Sequence, residues 1–174
     1  MIKNVTTEDK KMGSFHKSFS KVDLSETPVK FHPMKDELLP FLLQNLHNFC
    51  LLEEEIYDRD EQLSNENKST DKLWNEYKRH YTKLAKPICT EDMLKRLSLV
   101  SYGKPSRYGY LNTGCDKVIF KMKSQNKAVV EIHFQKGVGE RHQFVLQKKE
   151  DGWKISDKNI GFASEKNKWH KCEL

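Results

Sequence analysis

His142 is the first residue to consider for chemistry, because it shares one side of a period-two run with Phe144 and Leu146 and so faces the apolar side of a strand. An imidazole buried there loses its proton more readily and becomes a neutral base. Trp74, Tyr77 and Tyr81 recur at three- and four-residue steps, so one helix face carries three aromatic rings that could meet that strand. Trp74, Tyr77, Tyr81, His142 and Phe144 are therefore the candidate pocket residues. The competing reading is structural: His142 sits at the sheet's end and hydrogen-bonds a tyrosine hydroxyl. Asp157 is either the second acid or base of such a pocket or a cap on the last turn. No spacing obliges it to meet His142, so pocket chemistry is permitted rather than indicated, and no catalytic residue is assigned.

His170 and Cys172 form a His-x-Cys pair, and His133 can approach Lys117 across a hairpin. Zinc needs three or four converging ligands, so neither pair predicts a metal site. Cys50, Cys89, Cys115 and Cys172 lack Cys-x-x-Cys spacing, and reduced thiols are the expectation. Gly137-Val138-Gly139 joins two strand-like runs and has no helix N-terminus behind it to hold a phosphate. Neither a Ser-His-Asp order nor a dinucleotide fingerprint is present, and no cofactor is expected.

These side chains are positioned by helices first and strands afterwards. Leu38, Leu39, Leu42, Leu43, Leu46, Phe49, Cys50, Ile56 and Tyr57 lie on one helical side, with Pro40 expected in the first turn. After the polar break 64–69, Thr70 is the expected cap of a second helix that ends before Pro87, and Thr90 of a third with Met93, Leu94 and Leu97 inward. Residues 101–114 read as a loop. From Asp116 the period becomes two: Val118, Phe120 and Met122, then Ala128, Val130, Ile132 and Phe134, then His142, Phe144 and Leu146, then Trp153, Ile155 and Asp157. Ser124-Gln125-Asn126 is the first expected hairpin loop, with Asn126 left-handed, and residues 136–140 the second. That second loop pairs Ile132 with Phe144 and Val130 with Leu146. The expectation is an α+β domain with N-terminal helices packed on a curved antiparallel sheet: a partly ordered arm over 1–35, helices within 36–100 and the sheet within 116–160 of a single domain, 36–174.

At 174 residues, one domain is the expectation. No apolar stretch approaches a membrane span or a signal-peptide core, so no membrane partner and a cytoplasmic setting are expected. The formal charge of +6 is uneven: residues 1–33 carry six basic and four acidic groups, 34–102 ten and thirteen, and 103–174 fifteen and eight. A basic C-terminal part suits an anionic partner, although an interspersed Lys/Glu exterior also makes an ordinary soluble surface.

The order of elements, closing on Trp153-Lys154-Ile155-Ser156-Asp157, resembles the cone-shaped nuclear transport factor 2-like (cystatin-like) fold. The loop Tyr102-Gly103-Lys104-Pro105-Ser106-Arg107-Tyr108-Gly109-Tyr110, the run 127–131, the run 142–155 and the terminal Lys168-Trp169-His170-Lys171 are similar to the bacterial polymorphic-toxin immunity proteins of that fold. The resemblance covers roughly 36–174. It implies a non-enzymatic protein that binds a cognate protein toxin in a stoichiometric complex and neutralises it.

Read from the residues alone, the outward sheet face carries Lys121, Lys123, Val129, Glu131, His133, Arg141, Gln143, Val145 and Lys154. Valines among cations suit a protein contact better than a nucleic-acid groove, which interleaves exposed aromatics with its Lys and Arg. Lys121, Glu131, His133, Arg141 and Lys154 are the candidate toxin contacts, and sheet pairing into a homodimer is open. Glu53, Glu54 and Glu55 with Asp58, Asp60 and Glu61 read as a solvated helix exterior or as negative charge offered to a basic nuclease. A small-molecule binder or enzyme using the cone pocket is the alternative function.

Overall fold

In a computed structural model, which describes residues 21–174, the chain forms an α+β domain. Helices α1 (Lys35–Asn65), α2 (Asp71–Ala85), α3 (Glu91–Leu94) and α4 (Tyr110–Thr113) accompany strands β1 (Val22–Asp23), β2 (Lys117–Ser124), β3 (Lys127–Phe134), β4 (Glu140–Lys149), β5 (Gly152–Phe162) and β6 (His170–Lys171). The six strands lie in sequence order in one sheet. The expected antiparallel meander is its centre, but the sheet is mixed, because β1 runs parallel to β2. Residues 22–34, within the segment read as an arm, supply β1 and a 3-10 turn over Val29–Met34. Thr27 anchors them: its hydroxyl donates to the Phe120 carbonyl at 2.7 Å and accepts from the Met122 N–H at 3.1 Å.

The helical period is realised as read. Leu38, Leu42, Leu46, Phe49 and Ile56 of α1 and Leu73, Tyr77 and Tyr81 of α2 are buried in one cluster with Val118, Phe120, Val130, Ile132, Phe144 and Ile155 of the sheet. Helix α1 starts at Lys35, directly after the 3-10 turn, so Pro40 stands in its second turn rather than its first. Thr90 caps α3 through its hydroxyl, 3.3 Å from the Met93 N–H. Thr70 makes no side-chain cap; the Ser69 hydroxyl accepts from Asp71 N instead. The loop read over 101–114 contains α4.

Two registers differ from expectation. Strand β3 pairs Val130 with Phe144 and Ile132 with His142, two residues away from the expected pairing. A two-residue shift keeps every side chain on its own face, so the alternation of apolar residues does not distinguish the registers. The loop does: Gly139 N–H closes a turn on the Lys136 carbonyl at 3.0 Å, with Gly137 and Gly139 both at positive φ, which places Glu140 opposite Phe134. In the β2–β3 hairpin, Ser124 pairs with Lys127 across a two-residue turn, the irregularity falls between Met122 and Ser124, and Asn126 is not left-handed.

The second departure has the larger consequence. Val145 pairs with Asp157 and Leu146 with Ile155, so Ser156 is an inserted residue in β5. A bulge reverses the alternation beyond it. Trp153 and Ile155 face inward as expected, and after the bulge the inward position opposite Phe144 belongs to Lys158, which is buried.

Gly161 pairs with Arg141, and a Cβ there would stand 2.6 Å from Arg141 Nε and 3.0 Å from the Lys168 carbonyl oxygen. Gly161→Ala should therefore lift Arg141 and residues 165–169 from the sheet, at a cost of about 1–3 kcal/mol. Thermal unfolding together with proteolysis mapped over 163–171 checks this; wild-type protection of that segment would refute it.

Candidate functional site

On the outer sheet face, Lys121, Glu131 and His133 form one cluster. Glu131 is 5% exposed although its strand neighbours on that face stay half-buried. Lys121 Nζ lies 3.0 Å from Glu131 Oε1 and 2.8 Å from Glu26, and His133 Nε2 lies 3.5 Å from Glu131 Oε2. Gln143 Nε2 donates to Glu131 Oε1 at 3.2 Å and accepts at its own oxygen from Asn159 Nδ2 at 2.9 Å. Burial pushes the Glu131 carboxyl up, but the bonds from His133, Lys121 and Gln143 outweigh it and bring the carboxyl down to about 2. The result is a polar ladder across β2, β3, β4 and β5, flanked by the half-buried Val129 and Val145. Unbroken alternation from Trp153, Ile155 and Asp157 would turn Asn159 inward; the bulge at Ser156 places it on the outer face, opposite Gln143.

Arg141 and Lys154 do different work. Arg141 Nη2 donates to the carbonyls of Glu165 at 2.6 Å and Lys168 at 3.2 Å, with its guanidinium 4.5 Å over the Trp169 ring. It pins the segment before β6. Lys154 Nζ donates to the Pro87 carbonyl at 2.6 Å and pairs with Asp151, tying the end of α2 to β5. His170 bonds Glu165 at 2.9 Å, so the His-x-Cys pair does not converge, and no group of three or more His, Cys, Asp or Glu suited to a metal ion occurs among the described residues.

Inside, His142 is buried with Nδ1 3.2 Å from the Tyr110 hydroxyl and its ring edge-on to Tyr110, Phe134 and Phe144. This is the tyrosine-bonded arrangement; burial, with Lys158 and Lys136 adding to it, holds the imidazole well below its ordinary pKa. The aromatics of α2 do not surround it. Tyr81 stacks on Phe49 at 4.4 Å, Trp74 packs on Tyr102 at 4.8 Å, and Tyr77 touches both Tyr81 and Tyr102. Ring contacts run from Phe49 through Tyr108 and Tyr110 to His142, so the 101–114 loop supplies the partners expected from α2. Asp157 bonds Arg96 at 2.8 Å instead of reaching His142.

The acidic run of α1 fastens that loop. Tyr102 donates to Asp60 at 2.8 Å, Lys104 to Asp58 at 2.7 Å, Ser106 N–H to Glu54 at 3.3 Å and Arg107 N–H to Glu53 at 3.0 Å. Descending helix positions thus meet ascending loop positions. Glu53, read as part of a helix exterior, is 1% exposed. Its Oε1 forms an ion pair with Arg107 Nε at 2.5 Å, while Arg107 Nη2 donates to the Tyr77 hydroxyl and the Ser98 and Ser101 carbonyls. Burial raises the Glu53 pKa, against the pull of Arg107. A second buried cation, Lys158, donates to the Glu173 carbonyl at 3.0 Å and the Tyr108 hydroxyl at 3.4 Å.

Beside this ion pair opens a cleft of about 480 Å³, bounded by the 101–113 loop, by Phe134 and by Gln135 and Lys136. Trp74, Tyr77, Tyr81, His142 and Phe144 are not among its lining residues; the aromatic wall is made by Tyr102, Tyr110 and Phe134. No family model, curated protein or solved structure matches this chain.

Proposed function

We propose that the protein is a cytoplasmic immunity protein of the nuclear transport factor 2-like fold that neutralises a cognate bacterial toxin in a stoichiometric complex, using the outer sheet face. The resemblance of the 102–110 loop and the 142–155 run to such proteins supplies the partner class. The observation that carries the choice of face is the ladder centred on Glu131. A merely solvated face has no need to enclose a carboxylate and hold it between Lys121 and Gln143, with His133 3.5 Å away, because burying a charge is costly. A surface whose polar groups are already held in one geometry loses little entropy on association. Val129 and Val145 supply apolar contact beside it, as the centre of a protein interface requires. The acids of α1 hold the protein's own loop, which argues against their imitating nucleic acid for a nuclease. Sheet-to-sheet homodimerisation would use the same face and compete with the toxin.

The test is a tagged pull-down from lysate of the producing cells with mass-spectrometric identification and solution mass of the complex, repeated with Val145→Arg. A toxin-like chain at near-equal stoichiometry is expected, its affinity about tenfold or more weaker for the variant, with unchanged thermal stability. Val145 is a cleaner probe than Arg141, which holds residues 165–169. Recovery of the protein alone while the toxin is being made would reject the reading, and wild-type affinity of the variant would reject the face.

A further inference from the structure

We propose that the cleft between the 101–113 loop and Lys136 is a binding site for a small aromatic carboxylate, held by Arg107 and Lys136 against Tyr110 and Phe134. This proposal is independent of the immunity reading. The volume, about 480 Å³, suits a compact ligand. Tyr110 and Phe134, stacked on each other 4.1 Å apart at 16° and only 7% and 4% exposed, are the fixed floor of the cleft, and the half-buried Tyr102 completes its aromatic lining, so a flat ligand ring gains contact with little side-chain ordering.

The charge of the site selects an anion. Glu53 lines the cleft, but its carboxylate is engaged by Arg107 Nε and the Arg107 N–H. Arg107 Nη2 is bonded to Tyr77, Ser98 and Ser101, whereas Nη1 donates to no described residue and 19% of the side chain remains exposed. Lys136 is exposed on the lining of the cleft. One guanidinium nitrogen with free N–H groups and one ammonium group therefore remain beside an aromatic wall. Two cationic donors on one lining suit a carboxylate, which can accept from both. Gly103, also on the lining, leaves the cleft open: a Cβ there would meet nothing nearer than the Pro105 carbonyl at 3.7 Å.

Isothermal titration of the full chain with benzoate, benzamide, acetate and inorganic phosphate tests the proposal. Benzoate is expected to bind saturably at one site, with benzamide, acetate and phosphate each about tenfold or more weaker. Lys136→Glu, which alters an exposed side chain, should weaken benzoate about tenfold, and Gly103→Leu should block the cleft at unchanged melting temperature. Absence of saturable benzoate binding, equal binding of benzamide, tighter binding of phosphate, or wild-type benzoate affinity in both variants would each overturn it.

Discussion

Arg107→Ala is expected to lose about 3–5 kcal/mol of folding stability, a large part of the 5–15 kcal/mol typical of a domain. The reason is what the truncation strands. Glu53, 1% exposed, keeps its charge while losing its counter-ion, and the Tyr77 hydroxyl and the Ser98 and Ser101 carbonyls lose a shared donor. Glu53→Gln should cost less, because the amide oxygen can still accept from Arg107. The pH dependence separates this account from simple loss of packing. Burial already holds the Glu53 pKa above its ordinary value, and removing Arg107 raises it further. An acid whose folded pKa exceeds its unfolded one contributes stability that is complete below the unfolded value and is lost as pH rises through the folded value. The deficit of Arg107→Ala should accordingly shrink on acidification from neutrality toward pH about 4.5. Urea unfolding across that range decides it; a loss under about 1 kcal/mol, or a deficit independent of pH, would contradict the buried-pair account.

Lys158→Met should abolish a rise of stability with alkaline pH. Lys158 is 4% exposed, and burial pulls its pKa from 10.5 down to about 8. The unfolded chain then binds more protons than the folded one between about pH 8 and 10.5, so stability climbs through that window as the folded lysine sheds its proton. The shift corresponds to on the order of 3 kcal/mol between the two limits. The groups facing this lysine are Tyr108 and the Glu173 carbonyl, with Cys172, Arg107 and Glu53 acting electrostatically. Tyr108 and Cys172 are both pushed up by burial and so lower stability at alkaline pH in either protein; Cys172, which Lys158 pulls down, is raised further in the variant, and this adds to the difference between the two profiles. At pH 7, Lys158→Met should be at least as stable as the wild type, since it removes a buried charge. Parallel stability profiles of the two proteins from pH 7 to 10.5 would sink the assignment.

The elements most legible beforehand were those whose period reports one buried face. The leucines of α1, the Tyr77–Tyr81 face of α2, the Thr90 cap and the inward sets of β2, β3 and β4 all follow from local spacing. The tyrosine-bonded state of His142 is one of the two readings its position offers, and tertiary structure names the tyrosine as Tyr110. Glu53 shows where local spacing stops: a carboxylate next to Glu54 and Glu55 reads as exterior, and only an arginine 54 positions away makes its burial tolerable.

By itself, then, the sequence determined which residues lie in helices, which in strands and which face inward, because a side chain's orientation follows from backbone geometry over a few residues. Tertiary structure alone decided the β3–β4 register, the bulge at Ser156 that turns Lys158 inward, the parallel docking of β1 and the strapping of the 101–109 loop along α1. Those depend on which distant partner satisfies each backbone and charged group. A two-residue register change or an inserted strand residue leaves the local pattern of apolar and polar residues almost unaltered while changing what every side chain meets.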